Sequence, residues 1–222
     1  MVRRTKEEAQ ATRTRILDTA ERVFEQRGVS GTSLGEIARV AGLTRGAIYW
    51  HFHDKADLFN AMMERVTLPL EETGDACGFK GPDITLSQMR SGFVDVLRRV
   101  MTDPQMRRVF DIATHKVEYV GEMNAVRERH LAMRNGCLTD VERTLKRAVR
   151  SGEVPKGIAP RHAAIGLLAL FDGLLQNWML DRDGFDLLRV GGQVFDTYLR
   201  GLTAPARTQP VTRGRAGRKP LS

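Results

Sequence analysis

Thr32-Ser33-Leu34-Gly35-Glu36-Ile37-Ala38-Arg39-Val40-Ala41-Gly42-Leu43-Thr44-Arg45-Gly46-Ala47-Ile48-Tyr49-Trp50-His51-Phe52 is the stretch whose reading decides the fold. Ser33 followed three residues later by Glu36 forms a capping-box pattern, so a helix starts near Leu34 and buries Leu34, Ile37, Ala38 and Ala41 on one face. Gly42 supplies a residue that can turn sharply, and Thr44 is of the type that N-caps a second helix carrying Ala47, Ile48, Trp50 and Phe52. Ala38 is small enough for two helix backbones to approach, and Ile48 follows where the second helix plugs the core between them. Two short helices about a tight turn form a helix-turn-helix, whose second helix is built to enter the major groove of DNA. Read only as two helices of an all-helical protein, the stretch leaves Arg45, Gly46, Tyr49 and His51 as unconnected surface residues.

Outward from this stretch the pattern stays helical. Upstream, Ile16, Leu17, Ala20, Val23 and Phe24 recur at helical spacing from about Glu8 to Arg27, and Gly28 is placed to end that helix. Downstream, Asp54 can N-cap a further helix with Asp57 in its first turn, and Leu58, Phe59, Met62, Met63 and Val66 give it a buried stripe. Pro69 is expected to break it. Gly74 to Pro82 reads as a connection. Beyond it, amphipathic segments run from Leu86 to Met101, from Asp103-Pro104 through His115 toward Tyr119, and from Met123 to Arg150 before Gly152. The segment from Pro160 to Met179 is apolar on more than one face and has to be covered on several sides. A last helix spans Phe185 to Leu202. No strand pattern or repeat emerges, so the expected fold class is all-α. An N-terminal three-helix unit with the helix-turn-helix takes residues 1–53, a larger helical unit residues 54–202, and a basic tail of disordered composition residues 203–222.

The formal charge of +8 is unevenly placed. Residues 1–55 carry ten Lys/Arg against seven Asp/Glu, residues 56–202 carry twenty of each, and residues 203–222 carry five basic residues and no acid. A neutral body with basic ends is expected where only the ends meet a polyanion. Arg3, Arg4 and Lys6 read either as a phosphate-reaching arm or as a solvated terminus. Arg207, Arg213, Arg215, Arg218 and Lys219 read either as a source of non-specific DNA affinity or as a solvated tail. With 41% hydrophobic residues over 222 positions, the chain can bury a sizeable core. No apolar run approaches the roughly 20 residues that cross a bilayer, and no apolar segment follows the basic start as in a secretory signal, so a cytoplasmic protein is expected. Cys77 and Cys137 lack a CxxC spacing, which suggests free thiols rather than a disulfide or a zinc site. Asp172 and His115 could pass for an acid-base pair. With no paired nucleophile, phosphate loop or metal cluster beside them, however, neither an enzyme nor a cofactor is expected.

Ile16-Leu17-Asp18-Thr19-Ala20-Glu21-Arg22-Val23-Phe24, Gly28, Thr32 to Ala38, Gly42 to Phe52, Lys55 and Leu58 together resemble the TetR family of transcriptional regulators. Thr5-Lys6-Glu7-Glu8-Ala9-Gln10 with Arg45 to Phe52 is similar to its AcrR-like branch, repressors of multidrug efflux pumps. The resemblance is dense over roughly the first sixty residues and rests on length and helical pattern beyond. It implies a homodimer paired through the last two helices, bound to palindromic double-stranded operator DNA and released by a hydrophobic small-molecule inducer. A regulator of lipid or other metabolism, and a DNA-binding dimer without a ligand, stay open beside it.

The same resemblance implies site residues. Arg45 is the base reader, because a guanidinium bridges guanine O6 and N7. Thr44 and Tyr49 touch a phosphate or a thymine methyl, Thr32 or Ser33 with His51 and Lys55 hold phosphates, and Gly46 leaves room for backbone approach. Trp50 is expected mostly buried and Tyr49 mostly facing the groove. A phosphate role for His51 leaves no metal site at His51-Phe52-His53. The ligand pocket is expected to be apolar, lined by Met89, Phe93, Leu97, Phe110, Val141 and Phe171, with His115, Cys137, Asp172 and Gln176 as polar anchors. Each alone also reads as core; Asp172, an acid inside a nearly all-apolar helix, stands out most.

Overall fold

The computed structural model describes residues 5–72 and 84–204, with backbone alone over 68–72. Among the described residues it is all-helical: α1 (Lys6–Arg27), α2 (Leu34–Val40), α3 (Arg45–His51), α4 (Lys55–Glu72), α5 (Leu86–Thr102), α6 (Pro104–His115), α7 (Asn124–Ser151), α8 (Pro160–Leu180) and α9 (Leu187–Thr203). A 3-10 turn, Gly121–Met123, joins α6 to α7.

Local chemistry accounts for most of these limits. At α1 the Thr5 hydroxyl accepts from the Glu8 N–H while the Glu8 carboxylate accepts from the Thr5 N–H, a complete capping box. Gly28 ends the helix at φ +76°, a conformation that a side chain would strain. At α2 the Ser33 hydroxyl accepts from the Glu36 N–H at 3.2 Å, but the Glu36 carboxylate is taken by Arg27, so the expected box is half made. Gly42 turns the chain at φ +65°, and the Thr44 hydroxyl then accepts from the Ala47 N–H at 3.2 Å to start α3. Asp103 caps α6 through the Gln105 and Met106 N–H groups, with Pro104 at the first helical position. Two expectations fail. α4 continues to Glu72 through Pro69, which costs it one backbone bond but not its course. α6 stops at His115, because Lys116 leaves the helical region, rather than running on toward Tyr119.

α1, α2 and α3 close around Ile16, Phe24, Ile37, Ile48 and Phe52, all fully buried. Each such side chain contributes about 1.5–3 kcal/mol of burial. α4 joins them through Leu58 and Phe59, the Phe59 ring standing 6.3 Å from that of Phe24. Beyond α4, α7 packs on α8 and α9 lies against α5 and α8. Arg90 on α5 donates to Asp196 on α9 at 2.8 and 3.1 Å, which holds the Asp196 carboxyl below the usual carboxylate range.

α8 overturns the expectation on apolar runs. Pro160–Leu180 is long and apolar enough, at a mean hydropathy of 1.4, to cross a membrane by length and composition. Only 33% of its most apolar 18-residue window is buried inside the chain, and Ile165 and Leu180 stay exposed. Cys137 overturns another: it is disulfide-bonded rather than a free thiol. Cys77, Arg3, Arg4 and the five basic residues of the tail lie outside the described residues.

Candidate nucleic-acid interface

α3 is seven residues long and is anchored by Ile48, which shares its inward direction with Phe52 one turn on. Two residues past Ile48 lies the opposite side of a 3.6-residue turn, and there Trp50 stands 72% exposed, with Tyr49 at 56%. The expectation that Trp50 packs in the core is therefore wrong: in so short a helix Ile48 alone spans the inward face. The half-buried His51 ring meets the Trp50 indole edge-on at 4.5 Å. Arg45 is exposed and its guanidinium lies along α2, where a Cβ on Gly35 would stand 3.1 Å from the Arg45 Nε. A Cβ on Gly46 would meet nothing within 4 Å, so the bare backbone there is open to approach from outside the chain.

The residues expected at phosphates separate. Ser33 and Thr44 are exposed, each accepting from one helix N–H and keeping a hydroxyl proton to donate outward. Of the alternatives Thr32 and Ser33, Thr32 is buried and its hydroxyl donates to the Gly28 carbonyl at 2.8 Å, which braces the loop before α2 and leaves Ser33 as the exposed hydroxyl. Lys55 sits in an open polar cleft with Ser33, Tyr49 and His53. Its ammonium donates to the Thr32 carbonyl at 3.2 Å and pairs with Glu122 at 3.0 Å. Asp54 caps α4 through the Asp57 N–H at 2.7 Å, a bond that, with His53, keeps its carboxyl below the usual range. No periodicity marks Glu122, because it reaches Lys55 only once the 3-10 turn is folded against α4.

The residues expected around a ligand do not gather about one space. Met89, Leu97 and Val141 are completely buried core. Phe93 stands 5.3 Å from the half-buried Phe171 and 4.9 Å from Phe195, an aromatic cluster that fills the ground between α5, α8 and α9. Phe110 is half-buried against the core and Cys137 is committed to its disulfide. His115 bonds Asp111 at 2.9 Å and borders a polar cleft beside Gly28 and Lys116. Asp172 and Gln176 are exposed on α8, although crowding by the surrounding protein pushes the Asp172 carboxyl up against the pull of His130 and Arg134. A cavity of about 180 Å³ lies elsewhere, between α4, α6 and α7. Its walls include Phe59, Met63, Tyr119, Val126 and Met133, with Asn60, Thr67, Arg129 and His130 as polar groups, and none of the ten expected residues lines it.

A buried acid ties α1 to α4 and α6. Glu21 on α1 is 2% exposed and accepts from Arg65 of α4 at 2.9 Å and from Gln105 of α6 at 2.9 Å. Burial pushes its carboxyl up, against the Gln105 bond and the Arg65 charge. Nearby, the Val29 N–H donates to the Lys116 carbonyl at 2.8 Å.

Comparison with known proteins follows this division. Residues 16–62 match the model for bacterial regulatory proteins of the tetR family, and residues 85–204 match that for the C-terminal region of MAATS-type transcriptional repressors. The HTH-type transcriptional regulator AcrR of Shigella flexneri is 44% identical over 190 residues, covering 84% of this chain and 87% of that protein. The solved structure of NalD, the secondary repressor of the MexAB-OprM multidrug efflux pump in Pseudomonas aeruginosa, is similar at a TM-score of 0.80 and 34% identity, over 89% of this chain and 98% of that one. SmeT, repressor of the SmeDEF multidrug efflux pump of Stenotrophomonas maltophilia, has a structure in complex with triclosan that is similar at 0.75 and 30%, over 96% and 100%.

Proposed function

Because the chain belongs to the TetR family of transcriptional regulators, we propose that it is a homodimeric repressor of a multidrug efflux operon, released from a palindromic operator by hydrophobic drug-like molecules. The observation that carries the DNA side is α3: one buried anchor, Ile48, holds a capped helix whose Arg45, Tyr49 and Trp50 are left uncovered. Arg45 reads a base edge, Trp50 and Tyr49 lie against bases and backbone, and Ser33, Thr44, His51 and Lys55 take phosphates. Residues 1–53 form the DNA-binding unit and residues 54–202 the ligand-binding and dimerisation unit, in a cytoplasmic protein.

The uncovered side of α8 supports the dimer. Leu170, Leu174, Val190 and Val194 border a shallow apolar groove formed by α8 and α9, continuous in chemistry with the exposed Ile165. A second copy laid on this face would cover it and set the separation of two α3 helices along the duplex. The inducer site is the cavity between α4, α6 and α7. α4 carries both Phe59, Met63 and Thr67 of its wall and Lys55 of the DNA-facing cleft, so occupation can favour a conformer with the wrong spacing. The filled Phe93-Phe171-Phe195 cluster favours a second reading, a DNA-binding dimer without ligand.

Selecting duplexes from a random pool, followed by gel-shift titration of the winner, tests the whole reading. A palindromic site bound by a dimer is expected, and a monomer with no preference among duplexes refutes it. With triclosan as probe, loss of the shifted band that an Ala132→Trp variant resists places the inducer in the cavity; binding without any effect on the band favours the second reading.

A further inference from the structure

Lys55 is the single lysine or arginine among the described residues lining its cleft, whose other walls include Ser33 and Tyr49. In the free chain its charge is already engaged. The ammonium lies 3.0 Å from the Glu122 carboxylate, a separation that a phosphate oxygen would adopt, and the Lys55 side chain is 11% exposed against 52% for Glu122. The two partners are held differently. Lys55 belongs to the first turn of α4 and is steadied by the Thr32 carbonyl, whereas Glu122 stands on a three-residue 3-10 turn that no side chain caps. The carboxylate is thus the partner that can withdraw. The other acids of the cleft are occupied, Glu36 by Arg27 and Asp54 by the Asp57 N–H and His53.

We propose that Glu122 competes with the DNA backbone for Lys55, so that the turn before α7 holds a phosphate-binding ammonium at the start of α4 in check. Bound DNA has to displace the carboxylate, whose own negative charge opposes an arriving phosphate. The turn that bears Glu122 is continuous with the cavity wall, since Tyr119 and Val126 flank it in the chain, and movement of that wall is therefore felt at the cleft. The competition rests on the reading of this cleft as DNA-facing.

The experiment measures binding of the full-length protein to its selected operator and to a random duplex by fluorescence anisotropy at fixed salt, for the parent, Glu122→Gln, Lys55→Gln and the double variant. Glu122→Gln keeps the side-chain shape and removes the competing charge, so it binds both duplexes about two- to fivefold more tightly, the range of a partly exposed ion pair. Lys55→Gln weakens both, and the double variant matches Lys55→Gln alone. Glu122→Gln binding no better than the parent overturns the competition and makes the pair a strut. Tightening that persists without Lys55 also overturns it, because the effect is then general charge removal. If Lys55→Gln leaves binding unchanged, the DNA-facing reading of the cleft falls together with the competition.

Discussion

Glu21 offers a direct test of how the DNA-facing helices are held on the rest of the chain. In Glu21→Ala, the half-buried Gln105 amide loses its acceptor, Arg108 loses a carboxylate 3.7 Å away, and Arg65 keeps its 2.8 Å pairing with Asp18. Two hydrogen bonds to a charged acceptor are removed. Arg65 is partly solvated and recovers some of its loss in water, so the expected cost is about 2–4 kcal/mol. Glu21→Gln keeps the volume and one acceptor while relieving the burial of charge, and is expected to fall within about 1 kcal/mol of the parent near neutral pH. The pH dependence has a definite sign. A carboxyl raised in the folded chain contributes stability that is complete below its unfolded value and is lost as pH rises through the raised one. Glu21→Gln lacks this loss, so it gains on the parent as pH rises from about 4 toward neutrality. Equilibrium guanidinium unfolding at several pH values measures all three. An alanine variant costing under about 1 kcal/mol, or a glutamine variant as damaging as the alanine one, would show that the α1-α4-α6 junction does not depend on this acid.

Three further outcomes are expected. Arg45→Ala relaxes preference at one operator base pair at a cost of about 1–3 kcal/mol, read by competition among single-substitution operators, while leaving affinity for random duplex nearly unchanged. Thr44→Ala removes the α3 cap and lowers stability by about 1 kcal/mol in chemical denaturation, with a matching loss of operator affinity as the helix start frays. Trp50→Ala, at an exposed position, changes the unfolding midpoint by no more than about 0.5 kcal/mol equivalent yet weakens operator binding in anisotropy titrations; a large loss of stability would instead return Trp50 to the core.

Much of the fold could be read along the chain because its signals act over a few residues. The caps at Ser33, Thr44 and Asp103, the turns at Gly28 and Gly42, and the apolar spacing of α1 and α5 all depend on neighbours within about one helical turn. That range also yields the helix-turn-helix and the family. It fails where two competing local rules apply, as at Pro69, and where direction depends on what lies across the core, as at Trp50. Only the tertiary structure brings Glu122 to Lys55, joins Glu21 to Arg65 and Gln105, buries Thr32, and opens a cavity between α4, α6 and α7 while Phe93, Phe171 and Phe195 fill the expected one. The physical reason is one of range. Capping and periodicity are fixed by bonds between near neighbours, whereas a long-range ion pair or an unfilled volume exists only as the difference between packed helices, and no single segment carries it.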